Sequence, residues 1–492
     1  MSQRIPQFLQ RIIDAGYQLS PDAYAYLTAL SAETSDTLSQ KAVLKADSSS
    51  PPLFILDKGY LLTLVETPRP EPIPQKNRSI PARDKGTPLK VLDDEPAQPA
   101  SDAQGFLEYF QSRYDRLETI LKRRVDVKDA ISIEQVLKLP LKTKLKTIGI
   151  VTEKRTRGNK LFIELEDRHS TISVMASDEE IIRHGLELQE DQVIAVEAVK
   201  YTDDLLIANN WIWPDVPNNT PRRSPEPLYA AFLADVHVGS KYFRGDYFDK
   251  FIDWMNLELG PLQSRDAAAR VKYIVIAGDI VDGVGIYPEQ LDELTITDIR
   301  EQYKVAAELL KQLPDYVEIV VTPGNHDATR HSMPQPPIPK EYAKELYDDS
   351  RVKMLPSPCR LNLNGVEVLV EHGKGLDDIL SSTPGYEFNH PIKAMELLFR
   401  CRHLAPRYGQ STPIAPERTD RLVIGSIPDA MLMGHIHINE TKRYKGVTLV
   451  SAGSWQDQTP FQKRMQIEPT TGVATIFDLQ THQTLDLDFK RF

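Results

Sequence analysis

Two cysteines in 492 residues, Cys359 and Cys401, exclude a disulfide framework and a cysteine-based zinc site. They read instead as buried or free thiols in a reducing compartment. No apolar run approaches the length of a membrane span, and the opening MSQRIPQFLQ lacks the apolar core of a secretory signal. A cytoplasmic protein with no membrane partner is therefore expected. Basic charge is in deficit: 59 Lys and Arg against 70 Asp and Glu give a net charge of -11. This excludes a protein whose whole surface grips nucleic acid. It leaves room for a local basic patch, or for a partner subunit that carries such contacts.

The length suits two to four domains. Residues 1–66 read as a helical module, with a Ser20-Pro21-Asp22 start signal and a short apolar piece at 53–66. Residues 67–105 hold eight prolines and few branched or aromatic side chains, the composition of a flexible linker. The module before that linker looks like a tethered docking unit. In FLEYFQSRYDRLETILKRR, Phe106, Phe110, Leu117 and Leu121 share one helical face. Five short alternating strands follow over 145–213, with one small helix between the third and fourth and a turn at Arg157-Gly158-Asn159. That is the order of an OB-fold barrel. Its basic residues Lys154, Arg155, Arg157 and Lys160, with Phe162, Tyr201, Trp211 and Trp213, outline a thin nucleic-acid groove; a barrel used as a protein scaffold is the competing expectation. A second proline-rich link, 214–227, leads into alternating strands and helices, so the layout is 106–221 for helix plus barrel and 222–492 for a layered α/β domain.

The chemistry lies in this last domain. Five apolar runs end on metal-ligand residue types: LYAAFLA before Asp235-Val236-His237, VKYIVIA before Gly278-Asp279, VEIVVTP before Gly324-Asn325-His326-Asp327, VEVLVE before His372, and DAMLM before Gly434-His435-Ile436-His437. A sixth run, VTLVSAG, carries no ligand. Residues just past the ends of buried strands converge on one rim, so ligands distant in sequence meet in space. In Asp-x-His and His-x-His an extended backbone would turn both side chains to one side. Mixed imidazole and carboxylate donors suit Mn, Fe, Zn or Co better than calcium. Two divalent ions sharing a bridging carboxylate and a bridging hydroxide would hydrolyse a phosphate ester in line. Asp279 is the candidate bridge and His326 the candidate acid for the leaving oxygen. Asp282 is a candidate to orient ligands from behind, and Asp327 a candidate to hold His326 in the same way. Arg330 is either a phosphate contact or a surface arginine. The stretch 381–420 is either a DNA-contacting flank of the site or a solvated insertion. His403 and the other histidines outside the motifs read as ordinary.

The motif order resembles the calcineurin-like metallophosphoesterase superfamily over about residues 228–470. The resemblance implies a two-sheet sandwich flanked by helices. It implies one metal held by Asp235, His237, Asp279 and His437, another by Asp279, Asn325, His372 and His435, and His326 beside the leaving group. Longer stretches, including GIVTEKRTRGNKLFIELEDR, FLADVHVGS, AGDIVDGVGIYP, PGNHDATR and EHGKGLDD, make the chain similar to the small subunits of archaeal family D DNA polymerases. That resemblance implies a 3′–5′ proofreading exonuclease acting on single-stranded or frayed 3′ ends of DNA for a separate large polymerase subunit. Two divalent ions are its expected cofactors, Mn²⁺ foremost, with Mg²⁺, Fe²⁺ or Zn²⁺ as alternatives. The related eukaryotic polymerase B-subunits have lost metal ligands, whereas every ligand position here is filled. Competing expectations are a catalytically silent accessory subunit and a stand-alone phosphodiesterase.

Overall fold

The computed structural model describes residues 6–47, 55–62, 64, 79–93 and 103–492. The chain divides into two compact units, Met1–Arg78 and Ser79–Phe492. Within the first, helices Gln7–Asp14, Pro21–Ala29, Ala32–Asp47 and Lys58–Leu62 pack with a two-residue parallel pair, Gln18–Leu19 against Ile55–Leu56. Ser20 caps the second helix by accepting from the Ala23 N–H, with Pro21 in its first turn. Phe8, Ile12, Ala23, Leu27, Ala42, Leu56 and Leu61 form its small core.

In the second unit, strands Lys144–Arg157, Lys160–Glu166, Thr171–Ala176, Val193–Lys200 and Leu205–Ile212 close a barrel, with helix Glu179–Leu186 after the third. The third and fifth strands pair in parallel and the rest antiparallel. Two of the four aromatics expected to line a groove are not available for stacking. Trp211 and Trp213 are buried, and the Trp211 indole donates to the Ile181 carbonyl. Filling a small barrel consumes its large side chains. Of the four aromatics, only Tyr201 is well exposed.

Two six-stranded sheets make the sandwich. One has the order Val352–Met354, Glu318–Thr322, Val271–Ala277, Tyr229–Leu233, Val473–Asp478, Thr484–Asp488. The other runs Glu440–Tyr444, Val447–Ser451, Ala430–Met433, Val366–Val370, Cys359–Leu363, Lys90–Val91. The central strands are largely apolar because both faces are covered. Tyr273, Val275 and Ala277 face the inter-sheet core, while Ile274 and Ile276 face helices Gly245–Met255 and Ile299–Lys311. Val368 and Val370 meet the first sheet; Leu369 turns to helix Pro391–Cys401. Both cysteines are buried, and burial raises their thiol pKa values, as expected of inert core residues.

Part of the expected linker is structured. Ala82 and Leu89 lie in the inter-sheet core, and Lys90–Val91 pairs antiparallel with Asn362 and Leu361. Two apolar residues suffice because the edge strand Cys359–Leu363 has free backbone groups to cover. Gly86 sits at φ +91°, where a Cβ would lie 2.6 Å from Leu228 Cδ1. The rest of that expected linker, 67–78 and 94–102, lies outside the described residues. The proline-rich link before the sandwich is likewise docked: the Asn219 N–H donates to the Lys445 carbonyl at 3.0 Å.

Barrel and sandwich meet through helix Ala103–Lys122 and the basic stretch that was a candidate DNA flank. Arg400 pairs with Glu187 at 2.8 Å and covers the Trp213 ring, and Arg407 pairs with Glu190 at 3.0 Å. Arg402 is buried and donates to the Ile424 carbonyl. Arg400 and Arg407 thus reach the barrel, while Arg402 stays within the sandwich. At the centre, fully buried Arg113 donates to Asp420 at 2.7 Å, to the Pro406 and Asp191 carbonyls, and to the Tyr109 hydroxyl. His403, far from ordinary, donates Nε2–H to the same carboxylate at 2.8 Å while Nδ1 accepts from the Ala405 N–H. Burial and the neighbouring guanidinium push the His403 pKa down to about 4. Asp420 is held below the carboxylate range because His403 and Arg113 outweigh its burial.

Arg113→Ala leaves this carboxylate uncompensated and should lower stability by about 3–5 kcal/mol, read as a shifted denaturant midpoint. His403 stays neutral when folded but takes a proton when unfolded below its ordinary value of 6.5. Its contribution is therefore constant above that pH and is lost as pH falls toward about 4. His403→Gln should flatten the slope of stability against pH in that window; an unchanged slope would remove the histidine from the account.

Candidate metal centre

Five of the strands end on one rim, and loops stitched by backbone hydrogen bonds carry the ligand residues inward. The Asp235 and His237 N–H groups donate to the Gly278 and Asp279 carbonyls, and the Gly434 N–H to the His372 carbonyl. The backbone here is not extended, contrary to the alternation expected from Asp-x-His and His-x-His. Asp235, His237, Asp279, His435 and His437 all have positive φ, between 50° and 71°. Non-glycine residues in this region cost on the order of 1–3 kcal/mol each unless the surroundings fix them. The left-handed turns send the two histidines of His-x-His to separate places, His437 to Asp235 and His237 and His435 to Asp279 and His372, while Asp235 and His237 stay together.

Asp279 lies between these groups, its Oδ2 3.8 Å from His237 Nε2 and 3.3 Å from His372 Nε2. Its Oδ1 accepts the His326 backbone N–H at 2.8 Å. Gly324 makes this approach possible, since a Cβ there would lie 2.6 Å from His372 Cε1. Asn325 Oδ1 stands 3.0 Å from His372 Nε2, completing the second group. The His326 imidazole lies edge-on to His237, groups with His237 and Asp279, and donates Nδ1–H to the Asp282 carbonyl at 2.7 Å, which leaves Nε2 as its other ring nitrogen.

His237 Nε2 and His437 Nε2 stand 3.1 Å apart, with the hydrogen on His437 because the Gln462 amide donates to its Nδ1. Two observations show that these residues fit a metal. Asp235 Oδ1 is buried without a hydrogen bond. His372 donates Nδ1–H to the Ala277 carbonyl at 2.9 Å, so its Nε2 lone pair faces the oxygens of Asn325 and Asp279. Nitrogen and oxygen lone pairs directed at one another call for a cation. Burial opposes a charged His372, yet Asp279 outweighs it and carries the pKa up to about 10. Reciprocally, Asp279 is held well below the usual range by His372 and His326 despite its burial. The buried His and Asp groups are thus positioned to hold metal, and the donor set is the mixed one that suits Mn, Fe or Zn.

Asp282 stands behind His237, accepting its Nδ1–H at 3.0 Å, with Gln456 and Gln290 amides on the remaining oxygen positions. Asp327 does not hold His326 as expected. It accepts from the Gly324 N–H and the Tyr303 hydroxyl, pinning the loop instead. Burial and the neighbouring Asp279 push its pKa up to about 7. Arg330 is committed to Glu417 and the Pro334 carbonyl. Sequence reasoning missed Gln462, whose amide meets His437 Nδ1 at 2.9 Å, and Asp377, 3.1 Å from His435 Nε2. The signal for Asp377 was present in EHGKGLDD, where a carboxylate opens the helix that follows His372.

The fold and site define a multidomain α/β protein with a five-stranded barrel and a sandwich bearing a His/Asp metal-ligating rim. By sequence, the chain belongs to the family of archaeal DNA polymerase II small subunits. It is 36 % identical to the one from Archaeoglobus fulgidus over 478 residues, 95 % of each chain. It is 36 % identical to the one from Methanothermobacter thermautotrophicus, over 90 % of this chain and 92 % of that one. With the Pyrococcus horikoshii protein it shares 37 % identity over 79 % of this chain, and it spans 63 % of that longer relative. The family of B subunits of DNA polymerases alpha and epsilon matches residues 230–442. A solved archaeal phosphodiesterase aligns with 53 % of this chain and 99 % of its own at 11 % identity and a TM-score of 0.27, a likeness that carries no argument about function.

Asp282→Ala should free the His237 ring and weaken Mn²⁺ binding by about ten- to hundredfold, measured by titration calorimetry, with the fold retained by circular dichroism.

Proposed function

We propose that this chain is the 3′–5′ exonuclease subunit of an archaeal replicative DNA polymerase, hydrolysing phosphodiester bonds at single-stranded or frayed 3′ ends. The observation that carries the reading is Asp279, a buried carboxylate set between two groups of nitrogen and oxygen donors with His326 at their edge. Asp235, His237, Asp279 and His437 would hold one divalent ion and Asp279, Asn325, His372 and His435 a second, with Mn²⁺ the first candidate. When bound, such ions supply positive charge to phosphate oxygens and lower the pKa of attacking water.

The chain's own residues do the rest. Water adds to phosphorus and the bond to the 3′ oxygen breaks, releasing a nucleoside 5′-monophosphate. The departing oxygen needs a proton. His326 is suited to deliver it from Nε2, because the Asp282 carbonyl anchors Nδ1–H and fixes the ring. The Tyr303–Asp327 contact keeps the Asn325–His326 loop in register. DNA synthesis would fall to a large partner subunit. Arg400 and Arg407 beside the site already pair with the barrel, so that partner would also carry much of the DNA contact, and the N-terminal helical unit is its candidate docking module.

A 5′-labelled primer-template with a mismatched 3′ end, incubated with the full chain and Mn²⁺, should show stepwise trimming. His326→Ala should slow it by about 10²–10⁴-fold, the usual weight of a general acid. Asp279→Ala should abolish it. Hydrolysis of mononucleotide esters in preference to the DNA end would favour a stand-alone phosphodiesterase. Silence of both the chain and its complex with the large subunit would leave an accessory role without catalysis.

A further inference from the structure

The imidazoles of the rim are not backed alike. His372 gives its distal N–H to a neutral carbonyl, that of Ala277, and His437 meets a neutral amide, that of Gln462. His237 alone among the residues expected at the first position is backed by a carboxylate, Asp282. Among the residues expected at the second position, His435 has the corresponding feature: its Nε2 lies 3.1 Å from Asp377 Oδ1. The other oxygen of Asp377 takes the Lys374 ammonium at 2.6 Å. His435 itself is largely buried, and its backbone N–H is fixed by Asp235 Oδ2 at 2.9 Å.

We propose that Asp377 is the positioning residue of the second metal position, fixing His435 with its proton on Nε2 and its lone pair on Nδ1. Valence dictates this tautomer. A carboxylate can only accept, so the nitrogen facing it carries hydrogen, and the ring's remaining nitrogen is the donor atom left for a metal. A histidine hydrogen-bonded to a carboxylate is also a more basic ligand than one bonded to a carbonyl. Each position thereby holds one carboxylate-backed and one neutrally backed histidine. Lys374 has a part in this arrangement. It stops the Asp377 carboxylate from turning inward to compete with Asp279 for the ion, leaving one oxygen for His435.

This proposal rests on the two-metal reading above, and its test separates the two. Mn²⁺ titration of the full chain, followed by the electron paramagnetic resonance of free Mn²⁺, should resolve two binding events in the wild type. Asp377→Ala should weaken one of them by about ten- to hundredfold and leave the other within about threefold. Asp377→Asn keeps an accepting oxygen and should recover most of that loss. Long-range ¹⁵N correlation spectra of the histidine rings give a readout independent of metal. His435 should show hydrogen on Nε2 in the wild type and in Asp377→Asn, and a mixture of tautomers in Asp377→Ala. Unchanged affinities and an unchanged tautomer in Asp377→Ala would overturn the assignment. Equal weakening of both events, with a lowered melting temperature, would make Asp377 merely structural and overturn it too. A wild type that binds no Mn²⁺ would sink the two-metal reading, and the assignment with it.

Discussion

Asp279 is the residue on which the rim depends. It must stay ionised where burial opposes charge, and it does so because imidazoles crowd it from two sides. That requirement brings the ends of neighbouring strands to one point. Gly324 is bare because the carboxylate needs its space, and the backbone N–H of His326 is turned toward it. The sandwich can be read as scaffolding for this crowding. Sheets covered on both faces are rigid, and rigid strands let donors from five segments converge without collapsing onto one another.

Much of this was legible in the sequence. One Asp, His or Asn past an apolar run is a weak signal, but five such runs in order, each ending on a ligand type, make coincidence improbable. The barrel was legible from its alternation and the helix after its third strand. The local conformation of the ligands was not. Period-two reasoning presumes an extended chain, and the backbone turns left-handed at Asp235, His237, Asp279, His435 and His437. Nor did composition reveal that residues 79–93 cover a sheet edge, since a strand needs only two apolar anchors when the edge supplies the hydrogen bonds.

Interfaces were the least legible part. Arg400 and Arg407 look the same in sequence whether they meet phosphate or the glutamates of a neighbouring barrel. Arg113 is one charged residue on an otherwise ordinary amphipathic helix, and nothing local marks it as the partner of a carboxylate some three hundred positions away. Pairing across such distances is decided by the fold. The same holds for Asp377, whose meaning appears only when the loop bearing His435 is laid beside it.

The left-handed ligands carry a final implication. At each of the five, glycine would relax the backbone while deleting a candidate donor. Asp235 and Asp279 complicate that trade, because their carboxylates also take the backbone N–H groups of His435 and His326. The strain of the rim and the bonds that hold it together thus reside in the same residues.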